Sequence, residues 1–164
     1  MQKYVVLVCT LCLSTLLFSS CGTKKTSLGA FFSFETEFLG AEYDGSLTLR
    51  AWGEGNSKKD AVEQAKKQAV RDVIFKGITR GVSDYHMRPL ITESNAVEKY
   101  QDYFNRFFSD GGDYLRYVNM KDEKSNSKQV MENHQVYKYG ITVRVLSSEL
   151  KKRLQDDGII KTIK

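Results

Sequence analysis

The stretch Tyr137-Lys138-Tyr139-Gly140-Ile141-Thr142-Val143-Arg144-Val145 constrains the fold more than any other part of the chain. Large apolar side chains take every second position, and Lys138, Gly140, Thr142 and Arg144 stand between them. Successive side chains of a strand point to opposite faces, so this spacing predicts a strand with one buried face and one wet face. Such half-buried strands belong to antiparallel sheets. The apolar face then needs a second layer, and helices are the natural cover.

Upstream, Leu47-Thr48-Leu49-Arg50-Ala51-Trp52 alternates in the same way and reads as a partner strand, with Gly53-Glu54-Gly55-Asn56 expected to end it in a tight turn. Ser57-Lys58-Lys59-Asp60 is a near capping box, in which the Ser57 hydroxyl accepts from an orphan amide of the first helical turn. Ala61, Val62, Ala65, Ala69 and Val73 follow with helical spacing as far as Phe75 or Lys76, and Gly77 and Gly81 mark the end. Alanines four apart make a flat stripe that lets a helix lie close to a sheet. Ser83 to Leu90, with the single proline Pro89, reads as a loop.

A second helix is expected from Thr92–Asn95 onward, with an aromatic face of Val97, Tyr100, Phe104, Phe107 and Phe108, stopped by Gly111-Gly112. That face reads as core in preference to a binding surface. Strands are expected at Asp113–Met120 and Lys128–Asn133, joined by a polar connection over Lys121–Ser127. Ser147 to Asp157 reads as a short C-terminal helix that begins at a serine cap and buries Leu150 and Leu154. The expected class is α+β: an antiparallel sheet of about four strands, two main helices on one face and a short C-terminal helix. This domain would occupy residues 46–157, followed by a frayed tail over 158–164.

The N-terminus follows a different logic. Met1 to Lys3 carries one positive charge, and Tyr4 to Phe18 is nearly continuous apolar chain. The run is shorter than the roughly twenty residues a membrane-spanning helix needs, so residues 1–20 read as a secretion signal that is removed. Phe18-Ser19-Ser20-Cys21 places two small residues before a cysteine, which is the pattern of a lipid-attachment signal, with Phe18 where Leu is usual. Cys21 is therefore expected to become the lipidated N-terminus. A plain secretory signal or an uncleaved anchor explains the cysteine less well. Cys9 and Cys12 fall in the discarded segment, so Cys21 would stand alone in the mature chain. An internal disulfide and a cysteine-rich zinc site are thereby excluded.

Residues 21–45 would form a tether and N-terminal segment. Gly22 to Leu28 is small and polar, and Phe31, Phe32, Phe34, Phe38 and Leu39 make the next part aromatic. A strand or a segment docked on the domain is the preferred reading of those aromatics, ahead of insertion into a membrane interface. The formal charge of +5 falls by one with Lys3, and both signs are interspersed. No basic stripe interleaved with aromatics marks a nucleic-acid partner.

The chemistry-bearing residues are sparse. Gly53-Glu54-Gly55 between a strand and a helix invites a nucleotide-binding reading, but Lys58 stands where a dinucleotide fingerprint needs its third glycine. No phosphate-loop Gly-Lys-Ser/Thr follows either. Gly53, Gly55 and Ser57 therefore read as a structural motif, with anion binding at the helix start as the lesser reading. His86 and His134 belong to no ligand pair, and no nucleophile-elbow sequence supports a catalytic triad. Asp122-Glu123 and Asp156-Asp157 read as solvated charge. No catalytic residue, metal or cofactor is expected.

Ala51-Trp52-Gly53-Glu54-Gly55-Asn56-Ser57 with Ala61, Ala65 and Ala69, together with the strand Tyr137 to Val145, resembles a domain found in small bacterial lipoproteins of the LPP type. The same domain occurs in the N-terminal part of flagellar assembly protein T. The resemblance covers roughly residues 46–146. It implies a non-enzymatic module that packs against other envelope proteins or surfaces, and it brings no catalytic residues. The expected function is thus a lipid-anchored envelope lipoprotein that binds an envelope protein partner or supports an assembly. Gly22 after the cysteine, and the lack of an acidic cluster behind it, favour the periplasmic face of the outer membrane. A membrane-anchored periplasmic hydrolase and a surface-exposed adhesin or ligand-binding lipoprotein are the rival expectations.

Overall fold

The structure is a computed structural model that describes residues 34–82, 85–121, 128–133 and 136–161. The expectations for the signal segment 1–20, Cys21, the tether, Phe31, Phe32, the connection over 122–127 and His134 lie outside the described residues.

Two long strands form the centre. β2 (Leu47–Gly55) and β6 (Val136–Val145) pair antiparallel from Leu47 opposite Val145 to Gly55 opposite Tyr137. Leu47, Leu49 and Ala51 of β2 share one face with Tyr139, Ile141, Val143 and Val145 of β6, and all are buried. Removing each such aliphatic side chain from water contributes about 1.5–3 kcal/mol. Helix α1 (Lys58–Arg71) lies across this face on Ala61, Ala65, Ala69 and Val70, none of which is accessible to solvent. The expected alanine stripe therefore does what its flatness allows.

Around the central pair the architecture is α+β as expected, but the sheet differs in detail. β1 (Glu37–Ala41) pairs antiparallel with the first half of β2, with a bulge between Phe38 and Gly40. β3 (Arg80–Gly81) pairs parallel with β1, so the sheet is mixed, not purely antiparallel. β4 (Val118–Met120) and β5 (Lys128–Asn133) share the far edge of β6. Six strands in all are present among the described residues.

Three further expectations change, two of helices and one of a strand. The second helix is broken into α2 (Ala96–Lys99) and α3 (Gln101–Phe107), because Tyr100 leaves helical geometry at φ −114° and ψ 29°. Asp113–Met120 is a strand only at its end. Asp113–Tyr117 is a 3-10 turn that buries Tyr114 and Tyr117 beside the α3 aromatics, where an extended strand would have turned one of them outward. Phe104 and Phe107 are core, as expected of that aromatic face. In the C-terminal helix α4 (Ser147–Asp156), Ser147 is the first helical residue and not a cap. Its hydroxyl donates instead to the Gly45 carbonyl at 2.6 Å, pinning the helix to the β1–β2 turn.

The described residues after α4 turn back onto it. Gly158 turns the chain at φ +72°, and the Ile159 and Ile160 amides both donate to the Leu154 carbonyl, at 2.8 and 3.1 Å. Both isoleucines pack against the core. After α1 the helix widens into a π turn over Asp72–Lys76, closed by the Gly77 amide on the Asp72 carbonyl at 2.7 Å.

Candidate binding groove

The Gly53-Glu54-Gly55 segment is not a turn. Both glycines belong to β2, and neither has positive φ. They are required by a close approach: a Cβ on Gly53 would collide with the Ala61 carbonyl and the Ala65 amide of α1. One on Gly55 would lie 2.7 Å from the Ala61 nitrogen. Two residues without side chains thus let the backbone of α1 sit directly on the end of β2. Ser57 does cap the helix, its hydroxyl accepting from the Asp60 amide at 3.2 Å.

β1 accompanies β2 only between Leu47 and Arg50. Beyond Arg50, β2 continues to Gly55 with β6 on one side and no other strand among the described residues on the other. Half of the backbone amides and carbonyls of an antiparallel strand point to each side. Among the described residues no strand pairs with the end of β2 on that side, where Phe34 stands beside Trp52.

A groove of about 580 Å³ runs along that edge, lined by residues from both faces of the sheet. On the side of α1, Asp60, Gln64 and Gln68 line it at intervals of four, one turn apart on a single stripe. Asp72 continues the stripe and is buried. It accepts from Gln68 Nε2 at 2.8 Å and from the Thr36 hydroxyl at 2.5 Å. Burial pushes its carboxyl above the ordinary carboxylate range, against the pull of those two bonds and of Lys76 and Arg71.

On the opposite side the wall is aromatic. Trp52 lies over Gly140, where a Cβ would meet the indole ring at 2.7 Å. Phe34 meets Trp52 edge to face, with centroids 5.4 Å apart. Lys138 Nζ stands 3.4 Å from the centre of the Phe34 ring and pairs with the Glu54 carboxylate. Three buried polar atoms without a partner, Trp52 Nε1, Arg50 Nε and Thr142 Oγ1, cluster on this same face. Arg50 and Thr142 are direct cross-strand neighbours. The face expected to be wet is therefore partly closed, with Thr142 only 6% exposed.

Gly53 and Gly55 of the sequence motif line the groove, while Ser57 acts on the backbone beside it. The carboxylates of Glu54 and Asp60 in the lining oppose an anion at the start of α1. His86 is exposed and outside the lining. Among the described residues no group of three His, Cys, Asp or Glu is placed to hold a metal ion. Nor is any described helix long and apolar enough to cross a membrane. Sequence reasoning missed Phe34, Gln64, Gln68, Asp72 and Lys138 as a group. The four-residue spacing of Asp60, Gln64, Gln68 and Asp72 was the available signal.

A second groove, of about 770 Å³, lies between the segment before α2 and the end of α4. Its apolar floor includes Ile91, Ile159 and Ile160, and Lys99 on its rim is tied to Glu93 at 2.8 Å. Comparison of the chain with protein-family models, curated proteins and solved structures found no match.

Proposed function

We propose that the chain is a lipid-anchored envelope protein, held through Cys21 at the outer membrane on its periplasmic face, whose α+β domain works by binding another protein. The observation that carries the binding role is the groove beside the end of β2. It combines the backbone of the end of β2, a row of amide and carboxylate side chains and an aromatic wall within about 580 Å³. Such a mixture suits recognition of a chain by direction and spacing. The resemblance of residues 46–146 to the domain of small bacterial lipoproteins points the same way. The anchor rests on the apolar run ending at Phe18-Ser19-Ser20-Cys21. One acyl chain holds a protein to a bilayer only marginally, whereas a diacylglyceryl group with a further N-acyl chain makes attachment effectively permanent.

Fractionation of cells carrying the native protein or Cys21→Ala tests the anchor. The native form is expected in the membrane fraction and the variant in the soluble one; an unchanged membrane fraction overturns it. Photo-crosslinking from position Asn56, at the groove, tests the contact in intact envelopes. A discrete crosslinked partner in both forms is expected, and crosslinks from Lys152 but none from Asn56 would place the contact elsewhere.

A further inference from the structure

We propose that the second groove, between the segment before α2 and the end of α4, binds a fatty carboxylate. Its hydrocarbon chain lies on the isoleucine floor, and its charged end meets Lys151 and Lys161. This site is separate from the groove of the contact reading and does not rest on that reading.

The groove is built, not a gap between loose loops. One wall is Leu90 and Ile91, whose amides donate to the Val73 and Ile74 carbonyls of the π turn at 3.1 and 2.9 Å. The other is Ile159 and Ile160, whose amides both donate to the Leu154 carbonyl. Both walls are thus tied by their backbones to helical turns, and these four amides are already satisfied. Leu90, Ile159 and Ile160 are half-buried: they pack on the core and still offer apolar surface to the groove. Its volume of about 770 Å³ falls within the roughly 300–1,000 Å³ of sites that enclose small ligands.

Charge narrows the choice of occupant. Lys99, Lys151 and Lys161 line the groove against a single carboxylate, Glu93. That carboxylate is taken by Lys99, whose Nζ lies 2.8 and 3.2 Å from its two oxygens. Lys151 and Lys161 have no carboxylate partner among the described residues. Gln155, one turn after Lys151 on α4, lines the groove beside it. A ligand with one negative charge therefore finds two ammonium groups without a competing partner.

The floor decides among the ligands that carry such a charge. A peptide laid on it would press amides and carbonyls onto isoleucine side chains and leave them unpaired. A hydrocarbon chain brings no group that needs a partner, and each methylene it buries adds to affinity. An apolar floor with cations at its rim is matched by one chain with one anionic end. Residues 162–164, which follow directly on Lys161, are the competing occupant.

The probes are octanoate, decanoate and dodecanoate, titrated into the full chain by calorimetry below their micelle-forming concentrations. Saturable binding of dodecanoate is expected, each step down the series weakening it by about tenfold. Dodecanol, of the same length without the charge, should bind about fivefold more weakly. Lys151→Gln combined with Lys161→Gln should weaken dodecanoate by about the same factor and leave dodecanol unchanged. Bound dodecanoate should slow acetylation of Lys151 and Lys161 and leave that of Lys152, outside the groove lining, unchanged.

No saturable heat from dodecanoate overturns the proposal. Equal affinity along the series overturns it too, since the floor would then not hold the chain. Equal affinity of dodecanol and dodecanoate would remove the lysines from the site, with the same result. Unchanged acetylation at Lys151 and Lys161 would put the ligand elsewhere. Binding that appears only when residues 162–164 are deleted assigns the groove to the chain's own end. A capped acidic peptide such as Leu-Asp-Leu-Leu that binds more tightly than dodecanoate assigns it to a protein partner. Each of these last three outcomes equally overturns the proposal.

Discussion

The two faces of one sheet are built by different rules here, although the same two strands make both. Toward α1, Leu49, Ala51, Val143 and Val145 are completely buried, and the helix backbone rests on glycine. On the other face the side chains between them form charge pairs: Glu37 with Arg50 at 3.4 Å and Lys138 with Glu54 across strands, and Arg144 with Asp44 of the β1–β2 turn at 2.5 Å. The first face is held by shape, where a methylene too many has nowhere to go. The second is held by pairings that can shift with modest loss. Stability is thus concentrated under the helix, and adaptability lies on the far face and along the edge between the two.

The sharpest way to break that contrast is at Gly53. Gly53→Val places a branched side chain against the α1 backbone, and no flexible side chain is there to move aside. Overpacking of this kind is expected to destabilise by about 3 kcal/mol or more, read as a lowered urea midpoint. Gly40→Ala is the control on the same sheet, because nothing lies within 4 Å of its added Cβ. It should change stability by no more than about 0.5 kcal/mol. Equal losses at the two positions would show that the helix is not seated on β2 as described.

Asp72 comes next, at the junction where α1 meets the chain before β1. Asp72→Ala leaves the Thr36 hydroxyl and the Gln68 amide without their acceptor in a buried place and should lower stability by about 2 kcal/mol. The pH dependence has a definite sign. Because burial raises the carboxyl above its ordinary 3.8, the folded form holds the proton more tightly than the unfolded form. Its contribution is most favourable below the ordinary value and is lost as pH rises through the raised one. Exposed carboxylates with lowered pKa, such as Glu42 beside Lys121 and Asp110 beside Lys67, contribute the opposite slope. The difference between native and Asp72→Asn urea midpoints across the acid range therefore isolates Asp72. A difference that stays flat with pH would remove burial as the dominant influence on this group.

How far the sequence disclosed this arrangement follows from what each feature depends on. Strict alternation in Tyr137–Val145 and the alanine spacing of α1 are local patterns, and both elements appear where expected. The Gly-Glu-Gly segment looked like a turn because glycine is the commonest turn residue. Its actual need, contact with a helix backbone, is a tertiary fact that no local pattern carries. Tyr114 reads equally well as a strand residue until the buried site beside the α3 aromatics is known. The parallel pairing of Arg80–Gly81 with β1 spans two residues, too few for any periodicity to register. The groove was half legible: its glycines and cap stood out as a motif, whereas Gln64, Gln68 and Lys138 became a site only when β1 stopped short.

Thr142 sharpens the view of the far face. Its hydroxyl is buried with no partner, so Thr142→Val exchanges an unpaired polar group for a methyl of nearly the same shape. On the helix face a substitution is expected to destabilise; here the expected change is a gain of about 1 kcal/mol, measured by the same urea titration. A loss instead would mean that the hydroxyl is satisfied in solution and that this face is organised by hydrogen bonds after all.

The smallest effect belongs to the charge pairs themselves. Glu37 and Arg50 are cross-strand neighbours on β1 and β2 whose side chains are each roughly 30% exposed, at 31% and 28%. Water and salt screen such a pair, and ordering two long side chains offsets much of the attraction. A double-mutant cycle with Glu37→Ala and Arg50→Ala should give a coupling of about 0.5 kcal/mol, shrinking further at high salt. The Arg50 single variant has an additional term, because its Nε is buried without a partner and its removal relieves that. The two single variants should therefore differ, with Glu37→Ala the more damaging since it leaves the half-buried guanidinium without its carboxylate. A coupling several times larger, insensitive to salt, would show that the far face is as rigidly specified as the one beneath α1.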